Sequence, residues 1–117
     1  MNKGDYLTSL IANNFSLKFK HWTADRLTNE HKYIGDLYDK VSELLDELVE
    51  VSIGMGIILP EDEEIAMNPG GVSALELIQF QITTLDEIES GETDTGILTL
   101  TGDIRKELNH AIYFLKS

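Results

Sequence analysis

The sequence predicts an all-α protein that folds as one antiparallel four-helix bundle. Apolar residues recur at helical spacing in four segments, and turns rich in glycine, threonine or asparagine separate these segments. The length of 117 residues fits one domain, residues 1–117. Cysteine is absent, which excludes disulfide-stapled folds, thiolate zinc sites and cysteine nucleophiles.

The first predicted helix begins with Asp5 as its cap and ends near Trp22. One apolar stripe is expected on it, made of Leu7, Leu10, Ile11, Phe15 and Trp22. After a turn over residues 23–28, Thr28 or Asn29 caps a second helix that ends near Ile53. The second stripe is the clearest periodic pattern in the chain and consists of Ile34, Leu37, Tyr38, Val41, Leu44, Leu45 and Leu48, with Val49 at its edge.

Gly54 and Gly56 are expected to end the second helix, and a connection rich in acids, proline and glycine follows. Ser73 and Glu76 form a capping-box pattern at the start of a third helix over about 74–90. Its expected apolar residues are Leu75, Ile78, Phe80, Ile82, Leu85 and Ile88. Gly91 ends this helix, and residues 92–94 open a fourth, whose stripe is Ile97, Leu100, Ile104, Leu108, Ala111, Ile112 and Leu115.

The net charge of −12 argues against nucleic acid as a partner, because no basic patch offsets the repulsion from phosphates. No apolar run is long enough to span a bilayer, and residues 1–5 do not begin a signal peptide. We therefore expect no membrane partner and a cytoplasmic location. The acidic surplus has two interpretations, solubility or cation attraction, and the second requires the acids to converge on one site.

Histidines and carboxylates are the candidates for chemistry. At about 100° per residue, Asp39, Asp46 and Glu50 share a column of the second helix that lies away from its apolar stripe. His31 lies at the border of that column, and His21 flanks the stripe of the first helix. These residues predict either a solvated acidic face or a site formed where two subunits meet, since they cannot converge inside their own bundle.

The order His21-Trp22, His31, Asp46 and Glu50 resembles the signature of Dps-type miniferritins, and the stretch 94–115 resembles the last helix of that family. The resemblance covers about 7–53 and 92–116. It implies a ferritin-like, Dps-like bundle that binds iron between two subunits, oxidises ferrous iron and stores the product in a hollow shell.

The resemblance implies His21, His31, Asp46 and Glu50 as metal ligands, in a homo-oligomer that is at least a dimer. Oxygen ligands with imidazoles suit iron, zinc or manganese. The family has an acid one turn after its second histidine, where this chain has Gly35, and either Asp36 or Asp39 is a candidate replacement.

Two further departures concern the middle connection, which is shorter than in the family, and the basic DNA-binding tail of some members, which this chain lacks. A short chain of this kind also resembles phage-encoded Dps-like proteins of unassigned function. The predicted host compartment is therefore a bacterial or phage-infected cell.

Glu107 and His110 have the Glu-x-x-His spacing of di-iron sites inside helical bundles. Only one such pair exists, and His110 points away from the fourth stripe, so a surface position is expected. The large aromatic residues are expected in the core or at an interface, and they are Trp22, Tyr33, Tyr38 and Tyr113.

Two functions remain open. The first is a metal-binding miniferritin with ferroxidase-type chemistry, which would make the protein an enzyme. The second is a non-enzymatic helical-bundle protein, phage-encoded, that uses the same fold to interact with itself or with another protein. The ligand set discriminates between them.

Overall fold

The computed structural model describes residues 2–25, 27–61 and 72–116. Four α-helices make up this part of the chain: α1 (Lys3–Thr23), α2 (Asn29–Gly54), α3 (Ala74–Glu89) and α4 (Thr95–Lys116). The described residues contain no β-strand and no helix long and apolar enough to cross a membrane. The prediction of an all-α four-helix chain is confirmed.

Helix α1 begins earlier than the sequence predicts. Asn2, and not Asp5, is the N-cap: its side chain accepts the Asp5 N–H at 3.0 Å, and the Asp5 carboxylate accepts the Asn2 N–H at 2.9 Å. Asp5 is thus the second half of a capping box, which satisfies two amide groups that the helix itself leaves unpaired.

The other helix termini follow the sequence closely. Thr28 caps α2 by accepting the His31 N–H at 3.2 Å, and Ser73 caps α3 by accepting the Glu76 N–H at 3.1 Å. Helix α2 ends at Gly54, as predicted. Past α3, Gly91 adopts a φ of 74°, a left-handed conformation that glycine adopts without a steric penalty.

The core lies along the bundle axis and contains residues from all four helices. The predicted stripes of α2 and α4 are confirmed. Three predicted members of the other stripes are wrong: Phe15 is 45% exposed, Trp22 is 67% exposed and Phe80 is 49% exposed. The core residues of α1 are Leu7, Leu10 and Leu17, together with buried Asn14 and Ser16. Helix α1 carries two apolar faces, and the spacing of apolar residues in the sequence did not distinguish the buried face from the exposed one.

Helix α1 packs against α2 and α3, and α4 packs against the same two helices, so α1 and α4 lie diagonally across the bundle. Lys3 Nζ lies 2.5 Å from Glu92 Oε1, which places the start of α1 beside the end of α3. These two helices are therefore antiparallel. The short turn between α1 and α2 makes that pair antiparallel as well.

Helices α2 and α3 consequently run in the same direction, and the connection between them is a crossover. Its described ends lie at opposite ends of the bundle. The Ile58 carbonyl packs directly on Gly4 at the start of α1, whereas Ala74 lines a groove with Glu30 near the start of α2. A simple up-down-up-down bundle has no such crossover.

Candidate functional site

The two histidines of the predicted site meet at the turn between α1 and α2. His21, in the last turn of α1, and His31, in the first turn of α2, stack with ring centroids 4.0 Å apart and 25° between their planes. The His21 Nδ1 atom lies 2.6 Å from the His31 carbonyl oxygen. A carbonyl can only accept, so His21 Nδ1 carries the proton and donates it.

This hydrogen bond fixes the tautomer of His21. With the proton on Nδ1, the lone pair of the neutral ring is on Nε2. Histidines that bind metals commonly hold the other ring N–H to a backbone carbonyl in this way, which orients the ring. The His21 imidazole is therefore ready to act as a nitrogen donor.

Gly35 provides the space that the His21 ring occupies. A Cβ atom at this position would lie 2.6 Å from His21 Cε1, 2.7 Å from Nδ1 and 3.2 Å from Nε2. The first two distances are shorter than real Cβ contacts. Gly35 is itself buried inside α2, in the second turn of the helix, where glycine is unfavourable without a packing reason. The structure thus gives a steric reason for a glycine at position 35.

One ring nitrogen of His31, Nδ1, is buried and has no hydrogen-bond partner in the described part of the chain. A buried polar atom without a partner costs about 1–3 kcal/mol. A cation coordinated by this nitrogen would remove the penalty.

The predicted carboxylate ligands lie elsewhere on α2. Asp39, Asp46 and Glu50 are all exposed. Asp46 follows His31 by 15 positions, which is about 22 Å along a helix, whereas Asp46 and Glu50 lie about one turn apart. One chain therefore brings His21 and His31 together and keeps them away from Asp46 and Glu50. Among residues 2–25, 27–61 and 72–116, no group of three or more metal-ligating side chains is close enough to hold an ion.

Asp36 and Asp39, the two further acids considered as ligands, occupy different places. Asp36 lines the groove between α2 and α4, together with Lys40 and His110. It therefore faces away from the turn that holds the paired histidines. Asp39 is exposed and lies about 12 Å beyond His31 along the axis of α2. Neither acid lies beside the histidine pair.

An outer face of α1 and α2 exposes aromatic residues next to the candidate ligands. We call it the α1–α2 face and define it by Ile11, Phe15, Trp22, Tyr38 and Asp46. Phe15 is 45% exposed and Trp22 is 67% exposed. A groove of about 260 Å³ in this face is lined by Phe15, Tyr38 and Asp46. The carboxylate of Asp46 thus borders an apolar surface.

Charge is unevenly distributed along this face. Lys18 lies near the C-terminal end of α1, with its ammonium group 4.8 Å from the centre of the Tyr38 ring and 5.8 Å from that of Trp22. The acids Asp46 and Glu50 lie in the C-terminal half of α2, towards the other end of the bundle. A second copy placed antiparallel on this face would bring Lys18 of each subunit towards Asp46 and Glu50 of its partner.

Glu107 and His110 do not form an interior pair. His110 is exposed, its ring packs 4.8 Å from that of Phe114, and the Glu107 carboxylate lies 3.8 Å from the Lys40 ammonium. Both residues line the outer groove between α2 and α4. The expected surface position is therefore confirmed.

Two features of the site were not predicted from the sequence. The packing of His21 on Gly35 had one detectable signal, a glycine inside a strongly periodic helix. Buried Asn14 had none: it is 4% exposed and donates from Nδ2 to Ser42 Oγ at 2.9 Å. Its Oδ1 atom is buried and has no hydrogen-bond partner among the described residues, and Asn14 lines the groove of the α1–α2 face.

No family model, no curated protein and no solved structure matches this chain.

Proposed function

We propose that this chain is a Dps-like, ferritin-fold protein that binds a divalent metal ion at a site shared between two subunits. His21 and His31 of one subunit would supply nitrogen donors, and Asp46 and Glu50 of the other would supply oxygen donors. Asp39 is the fifth candidate ligand. The observation that carries the proposal is the orientation of the His21 ring. Its Nδ1–H donates to the His31 carbonyl, so the lone pair on Nε2 is the one that could coordinate a metal ion.

The topology supports the ferritin-like part of the proposal. A four-helix bundle with one long crossover is the arrangement of ferritin-like folds, and α2 and α3 run in the same direction here. The connection in this chain is short compared with the family. Self-association is supported by the exposed aromatic residues of the α1–α2 face and by the positions of Lys18 and Asp46 towards its two ends.

The separation of the candidate ligands supports sharing between subunits. The histidines and the acids lie about 22 Å apart along α2. An antiparallel pair of α2 helices would bring the histidines of each subunit towards the acids of the other. Such a pair would carry two equivalent sites, because an isologous contact repeats every residue pairing.

The chemistry implied by the resemblance is oxidation of ferrous iron, which would be the substrate. The protein groups would bind and orient the ion, and zinc or manganese are the alternative metals. We place the protein in the cytoplasm of a bacterial or phage-infected cell, without nucleic acid or membrane as partners.

The second candidate function is a non-enzymatic interaction protein that uses the α1–α2 face without metal. Gly35 favours it, because the acid that the family has at this position is missing. Such a protein would form the same homodimer or bind another protein through Phe15 and Trp22. Metal content separates the two candidates.

The test is metal analysis of the purified protein together with its mass in solution, for the wild type, Asp46→Ala and a control, Asp103→Ala. Asp103 is an exposed acid on α4, so the control makes the same change in charge. We expect wild type and control to bind metal and Asp46→Ala to lose it while remaining helical. The wild type could instead form a dimer that holds no metal even after iron, zinc or manganese is supplied. That result would favour the interaction protein.

A further inference from the structure

Two buried amide side chains lie near the middle of their helices, and neither is a candidate metal ligand. Gln81 of α3 is 0% exposed, and neither its Nε2 nor its Oε1 has a hydrogen-bond partner among the described residues. Asn14 of α1 is 4% exposed, and its Oδ1 is unpaired in the same sense. We infer that Asn14 and Gln81 form an internal polar site whose ligand is one buried water molecule.

The two amides lie at nearly the same height in the bundle. Helices α1 and α3 pack together in antiparallel directions, and the Tyr6 hydroxyl donates to the Glu87 carboxylate at 3.4 Å, which sets their relative height. Asn14 follows Tyr6 by eight positions, and Gln81 precedes Glu87 by six. The two amides are therefore within about 3 Å of each other along the bundle axis. Because both are buried, they belong to one layer of the core.

The surroundings of Gln81 are apolar and closed to solvent. Its neighbours on the buried side of α3, Leu77, Ile78 and Leu85, are also 0% exposed. Gln81 does not line the groove of the α1–α2 face, the groove between α2 and α4 or the groove beside Ala74. An amide in such surroundings loses its hydrogen bonds to solvent and gains stability from any partner inside the core. The ligand is therefore polar and small enough to be enclosed.

The unpaired atoms match the hydrogen bonds of a single water. Asn14 Nδ2 already donates to Ser42 Oγ at 2.9 Å, so two acceptors remain, Asn14 Oδ1 and Gln81 Oε1, with one donor, Gln81 Nε2. A water can donate to both oxygens and accept from the amide nitrogen, and three hydrogen bonds are usual for a buried water. A direct bond between the two amides would leave Gln81 Oε1 unpaired.

The same atoms do not suit an ion. The hydrogens on Gln81 Nε2 repel a cation, and the two amide oxygens repel an anion. Reversal of the Asn14 amide would replace its free oxygen with a second donor, and a water could then accept twice and donate once. The water would join α1 to α3, and the bond from Asn14 to Ser42 joins α1 to α2. Three helices would thus be linked at one height.

The first test is a crystal structure of the wild-type protein in which ordered waters are visible. We expect one water within hydrogen-bonding distance of Asn14 Oδ1 and of both amide atoms of Gln81. In solution, NMR should show a cross-peak between the Gln81 side-chain NH₂ protons and a long-lived bound water. A direct bond between the two amides, or amides that remain unpaired without a water, overturns the inference.

The second test compares Gln81→Met with Gln79→Met, a control on the exposed side of α3. Methionine keeps the length of glutamine without its donor and acceptor. Gln81→Met should lower the folding equilibrium constant about 5- to 30-fold, because the water loses two partners and Asn14 is left unpaired. The control should change the constant less than about 3-fold. An increase in Gln81→Met would show that Gln81 has no partner in the wild type and would overturn the inference.

The third test asks whether the two amides share their ligand. The loss caused by Gln81→Met should be smaller when Asn14 is already alanine, because the water is then already weakened. Equal losses with Asn14 and with Asn14→Ala would overturn the shared site. If Asn14→Ala does not fold, the structure of the wild type still decides. None of these measurements depends on bound metal, so their outcome is independent of the proposed function.

Discussion

At the scale of single residues, the contact between Gly35 and His21 ties the local packing of the bundle to its candidate chemistry. A glycine inside a helix normally lowers stability relative to alanine. Here it allows the ring to lie on α2, to stack on His31 and to donate to a carbonyl. The sequence predicted both histidines as candidates but presented Gly35 only as a missing ligand, because a steric role depends on a residue from another helix.

Replacement of Gly35 and of Gly102 with alanine should change the stability of the fold in opposite directions. Gly102 is also inside a helix, and a Cβ there would meet open space. Gly102→Ala should raise the free energy of unfolding by about 0.5–1 kcal/mol, since it gains helix propensity without a clash. Gly35→Ala should lower it by about 1–2 kcal/mol, because overpacking and a lost hydrogen bond outweigh the same gain. Urea denaturation of the metal-free proteins measures both values. Equal stabilisation by the two changes would contradict the close packing of the His21 ring on Gly35.

The ion pair between Lys3 and Glu92, at the other end of the bundle, should make the free energy of unfolding depend on pH. The hydrogen bond from Lys3 holds the pKa of the Glu92 carboxyl below its ordinary value of 4.5, although burial acts in the opposite direction. A carboxyl with a lowered pKa in the folded state adds stability above that ordinary value, and this stability disappears as the pH falls through the folded pKa.

Lys3→Met should therefore reduce the free energy of unfolding near neutral pH by less than about 1 kcal/mol. The difference from the wild type should shrink on acidification, because protonated Glu92 no longer pairs. Urea denaturation at several pH values below 4.5 and near neutrality measures it. A difference that is constant over this range would show that Lys3 acts through packing alone.

At the scale of the elements, the predictions for α2 and α4 succeeded because each carries one apolar stripe with polar residues opposite. Helix α1 carries two apolar faces, and only contacts with α2 and α3 decide which one is buried. Leu17 is fully buried, whereas Phe15 and Trp22 are exposed. We propose that the second face contacts another subunit.

Substitutions on the two faces of α1 should affect different properties: the stability of the fold on the buried face and self-association on the exposed face. Leu17→Ala should destabilise the fold by about 2–5 kcal/mol, because it leaves a cavity in the core. Phe15→Gln should change monomer stability by less than about 1 kcal/mol and weaken self-association. Phe80→Gln, on the exposed surface of α3, is the control. Sedimentation over a range of concentrations measures the association, and equal dimerisation of Phe15→Gln, Phe80→Gln and the wild type would exclude the α1–α2 face.

At the scale of the whole molecule, the four helices and their order were predictable because local patterns specify them. Their arrangement was not, since the neighbours of α1 depend on where the connection between α2 and α3 leads. The meeting of His21 and His31 at one turn follows from the short link between their helices. The distance of both from Asp46 is the reason why we propose that the acids of the site would come from a second chain.

The net charge of −12 leads to a prediction for the whole protein. We expect no binding to duplex DNA near physiological salt, because the protein would release few counterions and its acids repel phosphates. A mobility-shift assay at increasing salt tests this. A shifted band that weakens as salt is added would reveal a basic surface formed by the assembled subunits.

The central claim, a metal site shared between subunits, is tested most directly by mixing two defective chains. His21→Ala and Asp46→Ala are each expected to bind little metal as homodimers. In a mixed dimer, one of the two sites takes its histidines from the Asp46→Ala chain and its acids from the His21→Ala chain, so that site is intact. We predict that mixing and reassembling the two variants restores metal binding above that of either alone. The mass in solution shows whether mixed dimers have formed. If they have formed and bind no more metal than the separate variants, the result contradicts a shared site.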